Sequence, residues 1–150
     1  MKCNKRTAKI KFITDHNKFF NDILENNFAK KKTKEVKFSS YGFYKNEILD
    51  KFIKEFCDNK KLCVYYGGTN YSADIPESSK LIPSLHAKVY WFLGFGAYIG
   101  SLNCTEYAFT KNIECGLWFP NHELKKQGIE KSLEDFFNSL EEKYQTQKPA

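Results

Sequence analysis

The stretch that decides the fold is LHAKVYWFLGFGAYIGSLNCTEYAFTKNIECGLWF, residues 85–119. Its apolar phrases, VYWF, AYI and GLWF, predict strands over residues 85–93, 97–99 and 113–119. Gly94-Phe95-Gly96 is the turn between the first two. His86 and Lys88 lie two apart on the first strand, so both side chains take one face and Ala87 takes the other. Ser101 and Asn103 are again two apart, just after the second strand, and Glu114 falls two residues into the third. If these strands are neighbours, an imidazole, an ammonium, a hydroxyl, an amide and a carboxylate converge at their ends. Unpaired polar and charged groups destabilise an apolar interior. His86 by itself reads as a core histidine; the set of five reads as a site.

Upstream, residues 8–14 (AKIKFIT) alternate as a half-buried strand does. Asp15 can cap a helix bearing Phe19, Phe20, Ile23, Leu24 and Phe28, which ends in the basic run at residues 30–34. Residues 36–43 read as a strand. A second helix starts at Lys45 or Asn46 and carries Ile48, Leu49, Phe52, Ile53 and Phe56 on one face. Residues 62–66 form a short strand closed by Gly67-Gly68. This β-α-β-α-β order implies parallel pairing with helical crossovers. Residues 67–84, rich in Gly, Ser and Pro, form a loop longer than compact domains ordinarily carry. Downstream, one long helix is expected from Asn121 to about Tyr144.

The chain of 150 residues is the size of one domain, with 14 Phe, 9 Tyr and 2 Trp, too aromatic for disorder. Residues 1–61 carry 16 basic and 8 acidic side chains, whereas residues 62–150 carry 8 and 10. A basic half suits a polyanionic partner. Cys3, Cys57, Cys63, Cys104 and Cys115 are odd in number and lack CxxC spacing, as expected of reduced thiols in a cytoplasmic protein. No apolar h-region opens the sequence and no run approaches a membrane span. Gly67-Gly68 lacks the context of a nucleotide-binding loop. No cofactor is expected, and no acidic cluster of the kind that binds Mg²⁺ is evident.

The five polar groups suit one chemistry. Lys88 and Asn103 offer donors for non-bridging phosphate oxygens. An imidazole can attack phosphorus, and a carboxylate can fix its tautomer. The reaction implied is metal-free phosphoryl transfer through a phosphohistidine. HAK, with GSLN placing Ser101 fifteen residues after His86, resembles the HxK…GSxN signature of the phospholipase D superfamily. The phrases LHAKVYW and IGSLNCTEYAFTKNIECGL are similar to those of its small nucleases and restriction endonucleases more than to its lipid-acting members. One position departs from the pattern: Leu93 stands where the motif has an Asp.

The resemblance implies an α/β fold, a phospholipase-D-like α-β-α sandwich with a mixed, largely parallel sheet flanked by helices, over residues 1–150. It implies His86 as nucleophile, Lys88 and Asn103 as a phosphate clamp, Ser101 as a hydrogen-bond donor and Glu114 as the holder of His86. The mechanism needs a second histidine to protonate the leaving oxygen. Neither His16 nor His122 has a matching context, so a homodimer sharing its active site is expected. The expected substrate is nucleic acid, DNA before RNA, with no membrane partner. Specificity is low or comes from a partner protein. A lipid phosphodiesterase and a non-catalytic nucleic-acid-binding or assembly protein are the competing readings. The basic half weighs against the first, and the intact His, Lys, Asn and Glu against the second.

Overall fold

Strand β5, Lys88–Leu93, lies at the centre of a seven-stranded sheet ordered β1-β7-β6-β5-β2-β3-β4. The computed structural model describes residues 8–44, 46–68, 76 and 78–147. The other strands are β1 (Lys11–Ile13), β2 (Glu35–Ser40), β3 (Lys61–Tyr66), β4 (Lys80–Leu81), β6 (Gly96–Gly100) and β7 (Gly116–Pro120). Side chains alternate along β5: Tyr90 and Phe92 enter one apolar layer, Val89 and Trp91 the other. A strand buried on both faces must be apolar throughout, which is why VYWF shows no polar alternation.

The first layer is covered by α1 (His16–Leu24) and α3 (Glu47–Lys51), the latter running on into a π-helical turn at Phe52–Phe56. Phe38, Phe52, Phe56 and Phe92 interlock there with ring centroids 4.9–5.9 Å apart. Each such pair adds about 0.5–1.5 kcal/mol beyond burial. The second layer is covered by α5 (Asn121–Lys126) and α6 (Ile129–Gln147), through Leu124, Leu133, Phe137 and Leu140. Glu141 of α6 accepts hydrogen bonds from Lys80 Nζ and the Tyr65 hydroxyl, each at 2.6 Å. These bonds, Lys80 foremost, draw its carboxyl down to about 2. The result is the expected α-β-α sandwich.

Four expectations are corrected. The sheet is mixed but mostly antiparallel: β2–β3 and β3–β4 run parallel, whereas β1–β7, β7–β6, β6–β5 and β5–β2 run antiparallel. The tight turn at Gly94-Phe95 can only make a hairpin. Strand β1, read as a neighbour of β2, instead crosses to the far edge and pairs with β7. The first predicted helix is two. It stops at Leu24, and Asn26 caps α2 (Asn27–Lys32) by accepting from the Ala29 N–H at 3.1 Å, which turns Phe28 out of the core. The C-terminal helix is likewise two, parted at Gln127-Gly128. The short helix α4 (Glu106–Thr110), capped by Thr105, is not legible in the hydrophobic pattern. Of the expected loop at residues 67–84, positions 69–75 and 77 lie outside the described residues, as do Cys3 and Lys45.

Candidate active site

One row of paired residues fixes the site. Lys88 at the start of β5 stands opposite Gly100 at the end of β6, and Gly100 stands opposite Gly116 at the start of β7. His86 lies two residues before Lys88, Ser101 follows Gly100, and Glu114 lies two residues before Gly116. Strand β2 ends on the same edge at Ser40, followed by Tyr41 and Gly42. The predicted site residues therefore gather at one edge of the sheet, from three adjacent strands and the end of a fourth. His86 and Glu114 are not inside strands, as predicted, but in the segments leading into β5 and β7. There the side chains are released from the alternation of a strand and can reach over the edge. His86 and Ser101 are exposed; Lys88, Asn103 and Glu114 are half-buried.

The bonding within the site is specific. Ser101 Oγ donates to Glu114 Oε2 and accepts from the Cys115 N–H at 3.0 Å. Asn112 Nδ2 donates to Glu114 Oε1 at 3.4 Å. Asn103 Oδ1 accepts from the Gly42 N–H at 3.0 Å, which leaves Nδ2 with no hydrogen-bond partner among the described residues. An amide held by its oxygen presents its two N–H donors outward. Ser39 Oγ donates to the Ala87 carbonyl at 3.0 Å, tying the His86 segment to β2.

Sequence reasoning misses three residues here. Tyr41 stacks on the His86 imidazole, with centroids 4.5 Å apart and planes 7° from parallel. Within the chain the imidazole is thus oriented by an aromatic ring, while Glu114 is engaged by Ser101 and Asn112. Gly67 makes room for this stack, because a Cβ there would lie 2.1 Å from the Leu85 carbonyl oxygen and 3.0 Å from the Tyr41 ring. The third is His16, which is buried, with Nε2 2.7 Å from the Tyr98 hydroxyl; that hydroxyl also lies 3.2 Å from the Cys115 carbonyl. Burial lowers the His16 pKa, against the upward pull of the Thr14 carbonyl and the Glu114 charge. The Tyr98 side chain lies over Gly100 and Gly116, where an added Cβ would come within 2.5 Å of its hydroxyl and 2.4 Å of its ring, respectively. No sequence motif marks Tyr41 or Tyr98; only the register of β2, β6 and β7 brings them to the site.

Other expectations resolve by position. Leu93 is at the opposite end of β5 from Lys88, roughly 17 Å away at strand rise. It packs with the α6 layer, so this position is remote from the edge that carries His86 and Lys88. Trp91 and Phe92 are buried core residues. Burial pushes the Cys104 thiol up to about 12, which leaves it inert. Cys57, Cys63, Cys104 and Cys115 are free thiols. Among the described residues, no group of three or more His, Cys, Asp and Glu side chains forms a metal-binding set, and no helix is long and apolar enough to cross a membrane.

The two-sided sandwich is similar in fold to solved structures of phospholipase D family members. Nuc from Salmonella typhimurium, a phospholipase D family member, matches with a TM-score of 0.59 at 12% identity, over 87% of this chain and 93% of that one. NucT from Helicobacter pylori matches with a TM-score of 0.56 at 17% identity, over 84% and 96%. TrmBL2, an archaeal chromatin protein with a novel mode of DNA binding, matches at 0.52 and 12% identity, over 92% and 55%. No family model and no curated protein sequence matches the chain.

Proposed function

We propose that this chain is a metal-independent phosphodiesterase that cleaves nucleic acid through a phosphohistidine on His86, in a site completed by a second copy of itself. The observation that carries the reading is the exposed His86 imidazole on the same sheet edge as Lys88, Ser101, Asn103 and Glu114. Lys88 Nζ and Asn103 Nδ2 would hold the non-bridging oxygens. A nitrogen of His86 attacks phosphorus: the P–N bond forms, the P–O bond to the leaving strand breaks, and the His86 of the second copy protonates that oxygen. The second His86 then takes a proton from water, whose oxygen displaces the first His86 and restores both rings.

Two features support dimerisation. His16 is buried against Tyr98, and His122 opens α5 at the opposite end of the sheet, 3.6 Å from Glu123. Neither histidine is placed to assist His86. Phe12 and Leu117, paired across β1 and β7, are 68% and 40% exposed, and Ile113 beside Glu114 is fully exposed. This apolar surface is contiguous with the catalytic edge and suits a second copy. Reduced free thiols fit a cytoplasmic location.

The test is to incubate the protein with plasmid DNA, RNA and phospholipid vesicles in excess EDTA. Undiminished cleavage of nucleic acid is expected, because the site holds one carboxylate where metal nucleases cluster several. Loss of cleavage in chelator, restored by Mg²⁺ or Mn²⁺, would remove the phosphohistidine mechanism. Likeness to TrmBL2 favours a second reading, DNA binding without chemistry, which the same assay reports as retention without cleavage.

The stacked Tyr41 is a positioning residue in this scheme. Tyr41→Ala should lower kcat about tenfold with little change in KM, since a free imidazole samples unproductive rotamers. Tyr41→Phe, which keeps the ring, should restore the rate. Steady-state hydrolysis of a chromogenic diester reads both; a Tyr41→Ala enzyme with parental kcat would remove the role.

A further inference from the structure

We propose a second nucleic-acid contact at the sheet end opposite His86: a groove that takes one unpaired base against Phe28 inside a rim of lysines. This rests on nucleic acid being the substrate. The groove is ≈ 330 Å³ and is lined by Lys11, Phe19, Phe28, Phe95, Trp118 and Pro120, among others. Its wall is a run of neighbouring rings: Phe28 to Phe95 at 6.3 Å and Trp118 to Phe19 at 5.2 Å, both edge-on, and Phe95 to Trp118 at 5.5 Å, tilted. Phe28 is 60% exposed although its helix neighbour Ala29 is fully buried. The helix turns a large ring toward water and buries a methyl, which is the reverse of what packing alone favours.

The surroundings name the occupant. Phe28 opens the phrase FAKKK, and Lys32 Nζ lies 5.7 Å above its ring. Lys30 and Lys31 lie on the same short helix as Phe28, Lys34 follows two residues beyond it, and Lys11 lines the groove itself. The one acid in the lining is Asp22, already paired with Lys18 at 2.7 Å. An aromatic face ringed by cations matches a base and its flanking phosphates, and stacking of this kind tolerates any sequence. An apolar ligand would leave the charges unused. Phe95 and Pro120 place the groove at the end of β5 and β7 away from the catalytic edge. The separation is roughly 17 Å along β5. One nucleotide cannot occupy both places, so the groove would hold a part of the polymer remote from the cut.

The test is fluorescence anisotropy of a labelled twelve-residue oligothymidylate and of a blunt duplex of the same length. His86→Ala protein keeps both probes intact. Adding Phe28→Ala should weaken the single strand about tenfold and the duplex by less than about twofold. Adding Lys31→Glu with Lys32→Glu should weaken both and flatten the salt dependence. Phe28→Trp should keep single-strand affinity. In the enzyme with His86 intact, Phe28→Ala should leave hydrolysis of bis(p-nitrophenyl) phosphate unchanged, since that substrate reaches one end only. Single-strand affinity indifferent to Phe28→Ala would overturn the proposal and leave the groove to a protein partner. Equal weakening of strand and duplex would overturn it too. The two readings fail separately: inactive protein whose strand binding still depends on Phe28 keeps the groove and loses the nuclease, and active protein indifferent to Phe28 does the reverse.

Discussion

His86→Ala should abolish phosphodiester cleavage, with a loss on the order of 10⁴-fold or more, while Glu114→Gln leaves a measurable rate. Removing the nucleophile closes the covalent route. Glu114 stands one step back. Its oxygens accept from Ser101 and Asn112, and Ser101 is independently anchored by the Cys115 N–H at 3.0 Å. Gln keeps the shape and one acceptor, so the edge should hold its form and lose the negative charge alone. A fall of about 10²-fold is expected for Glu114→Gln, in the range of a single electrostatic or proton-transfer contribution. Single-turnover cleavage with thermal melts of both variants checks this. Complete inactivation by Glu114→Gln at unchanged melting temperature would make Glu114 a direct participant.

The second large effect concerns subunit mixing. If one phosphate lies between two copies of His86, a heterodimer of parental and His86→Ala chains lacks either the nucleophile or the acid. After random exchange with a tenfold excess of the variant, only about a tenth of parental chains pair with another parental chain. Activity per parental chain should fall accordingly. Activity proportional to parental chain alone, or sedimentation of an active monomer, would refute the shared site. Phe12→Asp should raise the concentration needed for dimerisation, because it sets a charge in the exposed surface beside Leu117.

The three strands of residues 85–119 are legible because each is apolar, short and bounded by glycine or polar residues. Their convergence follows from hairpin geometry, so the gathering of these five polar side chains at one edge is legible before any fold is known. Sheet order is not legible. Nothing local in KFI tells β1 to cross the sheet and pair with β7 rather than lie beside β2. The break after Leu24 is also hidden, since Phe28 continues the helical spacing and only the Asn26 cap diverts it. Tyr41 escapes notice for a different reason. Its partner His86 is 45 positions away and the stack depends on parallel β2–β3 pairing that carries Gly67 beneath it. Sequence patterns report what a residue is next to in the chain; the orientation of the imidazole is decided by what crosses it.

The pair Gly100 and Gly116 has a consequence for any survey of tolerated substitutions. The Tyr98 side chain occupies the space above both, its ring over Gly116 and its hydroxyl over Gly100, and that hydroxyl meets His16 and the Cys115 carbonyl. A methyl group at either position would evict the ring and tilt the polypeptide bearing Ser101 and Glu114. In a library scored for survival, these two positions would register as intolerant as His86, though they take no part in bond making. A map of inactivating changes across this edge would therefore outline a mechanical seat as well as a reaction centre, and separating the two calls for scoring protein abundance alongside turnover.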